Sequence, residues 1–217
     1  KLSKPNKIIP VLVENHNNLT INKPKKTIVY TGTYSERKDG IITLLISFAK
    51  VFKKYPGFNL ILTGNPEKSK EYNKIISIIN KYRIEAGVIF TGYISEYNLR
   101  KILSTSCLLI IAKPDNRQNT YNFPTKIGEY LISGRPVITT KVGTIGKLLT
   151  HNQNVIFSKY NTEDIAYWME YIILNPENAT RIGMAGREFA IENMEYRKQT
   201  ARLLNFFNKL INENSNS

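Results

Sequence analysis

From residue 27 onward the apolar positions switch repeatedly between two periods. Short runs rich in aliphatic and β-branched residues predict buried strands: Thr27-Ile28-Val29-Tyr30, Asn59-Leu60-Ile61-Leu62, Val88-Ile89-Phe90, residues 107–111, residues 137–140 and Val155-Ile156-Phe157. Between them, helical spacing takes over. Apolar residues at 41, 44, 45, 48, 51 and 52 predict one helix, Ile75, Ile76, Ile78, Ile79 and Tyr82 a second, and Leu99, Ile102 and Leu103 a third, with Ser95 placed to cap it. Strands of this kind alternating with helices predict an α/β fold, a doubly wound parallel Rossmann-like sheet covered by helices on both faces. In such sheets ligands bind beyond the carboxyl ends of the strands.

The ends of the chain read differently. Residues 1–26 carry Pro5, Pro10 and Pro24 among several Asn, and predict a linker leading into a domain over 27–194. A start at Lys1 without Met, directly into such a segment, reads as a fragment cut just before that domain. After Glu163 the pattern is purely helical, over 165–174, 176–193 and 195–211. The last helix carries Leu203, Leu204, Phe206, Phe207, Leu210 and Ile211, and that much apolar surface requires a partner in this domain or in a half outside the chain. Residues 212–217 are expected to be disordered, so 195–217 divides into a helix and a tail.

Composition narrows the classes. With 217 residues, 41% of them hydrophobic, one good core is affordable, or at most two small ones. No run of about 18 apolar residues and no signal-peptide apolar region occur, which predicts a soluble, cytoplasmic protein. The single Cys107 excludes internal disulfides and reads as a small buried hydrophobe, and His16 and His151 are too few for a histidine metal cluster. No metal or other cofactor is expected. The net charge of +14 admits solvated helix faces, attraction to a polyanionic substrate or an anionic membrane surface, or nucleic-acid binding. The last has little support, because the basic residues are scattered and no helix-turn-helix, RNP or zinc-finger pattern occurs.

Candidate chemistry concentrates in Asn122-Phe123-Pro124-Thr125-Lys126-Ile127-Gly128-Glu129-Tyr130, which leads through Ser133-Gly134-Arg135-Pro136 into a strand. Pro124 fits a first helical turn, and Gly134 with Pro136 ends the helix. A helix start with free amides, a Lys and a Glu on the same helix can hold a nucleotide diphosphate and its ribose.

Phe-Pro-x-Lys-x-x-Glu-Tyr followed by Gly-x-Pro-Val resembles the donor-binding signature of the group 1 glycosyltransferases, retaining enzymes of two-domain GT-B architecture. Further matches fall in order along residues 27–195: Thr31-Gly32-Thr33 with Arg37-Lys38-Asp39-Gly40, Leu62-Thr63-Gly64, Phe90-Thr91-Gly92-Tyr93, and Arg181-Ile182-Gly183-x-x-Gly186-Arg187. The resemblance implies a chain that is the donor-binding half of a hexosyltransferase, using a nucleotide diphosphate sugar without metal. The acceptor, a glycan or a lipid-linked molecule, would be recognised by a missing N-terminal domain, in polysaccharide assembly at the inner membrane face. The isolated chain would then bind nucleotide weakly without turnover.

Lys38, Lys126 and Glu129 are the candidate catalytic residues. Negative charge grows on the departing diphosphate, which the two lysines and backbone amides would stabilise, each such interaction being worth about 3 to 4 kcal/mol. The resemblance gives Glu129 the ribose hydroxyls. Gly32, Thr33, Arg37, Gly64, Tyr93, Ile94, Phe123, Pro124 and Thr125 are the candidate donor-binding residues. Tyr93 and Ile94 either read the base edge or form a structural turn. The chain departs from the pattern twice: Tyr121 replaces the first of two glutamates, and Thr33 an arginine that commonly follows the loop glycine. These departures keep open a non-catalytic nucleotide-binding or interaction domain. A related epimerase would need cleft histidines that the donor loops lack.

Overall fold

A computed structural model describes residues 5–15 and 23–215. The expectations for residues 1–4, His16 and residues 216–217 lie outside the described residues. Six strands, β1 (Thr27–Tyr30), β2 (Asn59–Leu62), β3 (Val88–Phe90), β4 (Leu108–Ile111), β5 (Val137–Thr140) and β6 (Ile156–Ser158), form one sheet. All pairings are parallel, in the order β3-β2-β1-β4-β5-β6.

Side-chain alternation along the strands sorts the core into two layers. Ile28, Tyr30, Leu60, Leu62, Leu108 and Ile110 meet α2 (Ile41–Lys54), α3 (Tyr72–Tyr82) and α8 (Thr162–Leu174) on one face. Val29, Leu109, Ile111 and Val137 meet α4 (Glu96–Thr105), α6 (Lys126–Ile132) and α7 (Ile145–Leu148) on the other. Both faces are therefore covered, and each fully buried aliphatic side chain contributes about 1.5 to 3 kcal/mol. The order runs outward from β1 in one direction and from β4 in the other, so the connections leave these neighbours toward opposite sides. A crevice opens between them.

Local chemistry fixes the elements around that crevice. The short helix α1 (Glu36–Asp39) starts at Ser35, whose hydroxyl accepts from Lys38 N at 3.3 Å, and stops at Gly40. Gly40 has φ +67°, and a Cβ there would lie 1.9 Å from the Ala112 carbonyl oxygen, so a side chain is excluded twice over. Ser95 caps α4 as its spacing predicts, accepting from Asn98 N at 3.3 Å, and Asn161 caps α8. A second short helix, α5 (Arg117–Tyr121), precedes the Phe-Pro segment.

After β6 the chain is helical: α8, α9 (Pro176–Asn193) and α10 (Tyr196–Ser215). Gly183 of α9 lies against the backbone of the Gly134-Arg135-Pro136 turn, where a Cβ would come within 2.5 Å of Gly134 O. The α10 helix runs through Ser215, past the point where apolar periodicity stops. Residues 212–215, expected to be disordered, instead continue it, and an ion pair between Lys209 and Glu213, one turn apart, supports the extension. Leu204, Phe207 and Ile211 on this helix stay largely exposed, so the fold does not cover that face. Within the predicted linker, Val13 bridges Glu195 and is buried, and Val11 and Val13 press against Gly128 of α6.

Candidate functional site

The crevice between β1 and β4 holds a hollow of about 200 Å³. The loop after β1 supplies Gly32, Thr33, Lys38 and Asp39, the end of β4 supplies Ile111 and Lys113, and the approach to α6 supplies Asn122, Phe123, Pro124, Thr125 and Lys126. Seven of the predicted site residues thus meet at one place: Gly32, Thr33, Lys38, Phe123, Pro124, Thr125 and Lys126.

The β1 loop is held from below by two buried tyrosines. Tyr30 folds its ring under Gly32, where a Cβ would sit 2.3 Å from the ring, and its hydroxyl donates to Thr33 O at 2.6 Å. Tyr130 of α6 accepts from Thr31 N at 2.8 Å and shares a bond with Thr31 Oγ1 at 3.0 Å. Burial pushes the phenol of Tyr130 well above its ordinary range, so it stays a neutral hydrogen-bonding group.

Helix α1 carries Arg37 and Lys38 and is clamped from behind. The Glu36 carboxylate accepts from Ile42 N at 2.6 Å, Thr43 N at 3.2 Å, Thr43 Oγ1 at 2.5 Å and the Tyr160 hydroxyl at 2.5 Å. It thereby caps α2, a task Gly40 cannot perform without a side chain. Glu36 N in turn donates to Glu71 Oε1 at 2.8 Å. At the other end, Asn116 Nδ2 donates to Arg37 O at 2.8 Å and Asn119 Nδ2 to Lys38 O at 3.2 Å, satisfying carbonyls at the helix end.

Asp39 and Lys113 form a buried ion pair at the side of the hollow. Asp39 Oδ2 also accepts from Thr33 N at 2.8 Å and from Thr33 Oγ1 at 2.5 Å. Burial pushes the Asp39 carboxyl up, but the hydrogen bonds from Lys113 and Thr33 outweigh it and hold the group below the usual carboxylate range. Sequence reasoning missed Asp39, Lys113, Tyr130 and Glu36 as site-building residues. A lysine at the carboxyl end of an all-aliphatic central strand is the one local signal that could have flagged Lys113.

The remaining candidates lie elsewhere. Glu129, one turn beyond Lys126, is exposed and lines a separate hollow of about 210 Å³ with Glu14, Glu96, Leu99 and Arg100, on the α4 side of α6. Arg37 is exposed and lines neither hollow. Gly64, with φ +90°, bonds through its N–H to Gly92 O at 2.8 Å beyond the ends of β2 and β3. Tyr93 next to that contact is exposed, with Lys68 Nζ 5.4 Å from its ring centre, and Ile94 is half-buried. Tyr121 is exposed. Of the other reactive groups, the Cys107 thiol is pushed up to about 11 by burial, and His151 Nδ1 accepts from Phe157 N at 2.9 Å within an aromatic cluster. Among the described residues, no group of three His, Cys, Asp or Glu side chains is placed to hold a metal ion.

Strand order, two helical layers and a hollow at the switch between β1 and β4 define a Rossmann-like domain, and the solved structures that match it make it one half of a GT-B fold. The chain is similar to a variant of TarM from S. aureus, in complex with Fondaparinux, alpha-GlcNAc-glycerol and UDP, at 22% identity and TM-score 0.74, covering 91% of this chain and 38% of that one. It is similar to sucrose-phosphate synthase from Thermosynechococcus elongatus at 21% identity and TM-score 0.69, covering 91% and 48%. HepE from Anabaena, in complex with UDP-glucose, matches at 17% identity and TM-score 0.66, covering 83% and 49%. The chain therefore spans about half or less of the length of these proteins. Comparison with curated proteins finds no match. The family model described as glycosyl transferases group 1 matches residues 13–189, and the chain belongs to that family.

Proposed function

We propose that this chain is the donor-binding half of a retaining glycosyltransferase, which moves a hexose-type sugar from a nucleotide diphosphate sugar to a glycan or lipid-linked acceptor. The observation that carries the reading is the shared hollow: Lys38 and Lys126 reach it from different elements, and Gly32 leaves its loop bare for close backbone approach. Complexes of TarM with UDP and of HepE with UDP-glucose support a nucleotide diphosphate as the ligand class.

The size of the hollow divides the donor. Sites that enclose a whole drug-sized ligand run to about 300–1,000 Å³, so a hollow of about 200 Å³ suits the diphosphate alone. The ribose would then cross the rim of α6 toward Glu129, and the sugar would face a second domain outside this chain. As the bond to the anomeric carbon breaks, charge gathers on the β-phosphate oxygens. Lys38 and Lys126 stabilise that charge more in the transition state than in the ground state, which is what lowers the barrier. No metal is required for this step. Retention of configuration, and work at the inner face of a membrane, follow the family likeness and the net positive charge. No described helix is long and apolar enough to cross a membrane.

Thermal shift with UDP, GDP, ADP and their sugar conjugates tests the reading. A ligand at 100 times its dissociation constant adds about 2.7 kcal/mol of stability, and Lys126→Ala is expected to remove most of that gain. Absence of any shift across the panel refutes donor binding, and measurable sugar transfer by the 217-residue chain alone refutes the division of labour between two domains. A second reading, binding without catalysis, is favoured by Tyr121 at the position of the family's first glutamate. In the full-length protein, Glu129→Gln would then weaken nucleotide binding with no transfer rate to lose.

A further inference from the structure

Lys113 follows β4 and is 5% exposed, although lysine is almost never buried to that degree without a partner. Its ammonium has three donors. One meets Asp39 Oδ1 and one lies 3.4 Å from Lys38 O, while the third has no acceptor among the described residues. The same residue lines the hollow that Lys38 and Lys126 share.

Asp39 binds more than its ion partner. Its second oxygen takes both the N–H and the hydroxyl of Thr33, so the carboxylate ties the lysine to the glycine-bearing loop across the crevice. Thr33 is also where the family pattern leads one to expect a loop arginine. An ion pair buried only for stability is commonly replaceable by apolar residues at no loss. This pair stands where the two halves of the sheet part, beside a hollow with further cations.

We propose that Lys113 is a third cation of the diphosphate site, presented from β4, with Asp39 as the positioning residue that aims it and couples it to Thr33. The inference rests on the donor-binding reading above. Three elements then surround the diphosphate: Lys38 from the β1 loop, Lys113 from the end of β4 and Lys126 from α6. The positive charge that the loop lacks at Thr33 is delivered from the neighbouring strand.

Calorimetric titration of the full chain with UDP, GDP and ADP, and with uridine, guanosine and adenosine as controls, tests this. Lys113→Met is expected to lower affinity for the preferred nucleoside diphosphate about ten- to a hundredfold, the worth of one charge-assisted hydrogen bond, and to leave the matching nucleoside unaffected. Lys113→Arg keeps the charge and should retain most of the affinity. Because Lys113→Met leaves Asp39 buried without its ion partner, the double variant Asp39→Asn with Lys113→Met is measured beside it. That pair is neutral and keeps an acceptor for Thr33 N, so loss of diphosphate binding there reports the missing cation. The salt dependence of binding should also become shallower. If the double variant folds and binds the diphosphate as tightly as the parent, Lys113 is a structural ion partner only, and the proposal falls while donor binding stands. If the parent chain binds no nucleoside diphosphate, the donor-binding reading itself falls and takes the inference with it.

Discussion

Replacing Tyr130 by Phe deletes one oxygen atom at a position 1% exposed and leaves the ring in place. That oxygen accepts the Thr31 N–H at 2.8 Å and pairs with the Thr31 hydroxyl at 3.0 Å. Thr31 is itself buried, so in Tyr130→Phe its backbone donor loses its acceptor where water cannot readily replace it. Leaving a buried donor unsatisfied costs about 1 to 3 kcal/mol, against a net worth of only about 1 kcal/mol for an ordinary hydrogen bond. Taking about 2 kcal/mol, the melting temperature should fall by roughly 4 to 8 °C for a chain of this size. Urea denaturation should show a lower midpoint with an unchanged slope, because the surface exposed on unfolding is the same. Thr31 leads into Gly32 and Thr33, so nucleoside diphosphate affinity should fall together with stability. A melting temperature within about 1 °C of the parent would falsify the claim that this hydroxyl anchors the loop, since even the low end of the penalty exceeds that.

Gly183→Ala separates two opposing effects. In an exposed helix the change gains about 1 kcal/mol from propensity, but here the new Cβ meets Gly134 O at 2.5 Å and the Arg135 and Pro136 backbone at 2.8 Å. Overpacking of this kind costs about 1 to 3 kcal/mol or more, so net destabilisation in chemical denaturation is expected, and a stabilised variant would contradict the close approach of α9 to that turn. Asp39 sets an acid limit. Its folded carboxyl titrates below the unfolded value of about 3.9, so its contribution is complete above that pH and is lost as pH falls through the folded value. Stability followed from pH 6 toward about pH 2.5 should drop more steeply in the parent than in Asp39→Asn, and equal slopes would show that the carboxylate gains nothing from Lys113 and Thr33.

The strands were legible because a parallel sheet covered on both faces demands uninterrupted aliphatic runs, and Leu108–Ile111 and Val137–Thr140 are buried along their whole length. Strand limits shifted by one residue at Cys107 and at Val155, where apolar character extends beyond the ladder. The Lys38 and Lys126 grouping was also legible, since loops at the carboxyl ends of neighbouring strands must converge. Glu129 was not. Lys126 and Glu129 lie only about 60° apart around α6, so spacing alone groups them, and which of them meets which hollow depends on α4 and on residues 12–14, far away in sequence. The Asp39–Lys113 pair escaped for the same reason: the two residues are 74 positions apart, and although the place of Lys113 after an aliphatic strand hints at a role, nothing local names Asp39 as its partner.

Glu36 belongs to the turn that carries Arg37 and Lys38, yet its carboxylate closes the first amides of the following long helix. Any swing of that turn would strip the cap from α2 and break the bond to Tyr160 in the same motion. The cationic turn is therefore tied to Glu71, to the start of α2 and to Tyr160 at once, and under the donor-binding proposal a diphosphate would find it already held in place, with little further ordering to be done. On that proposal, selectivity at this rim would come from how well a ligand's phosphates match one held arrangement of the turn.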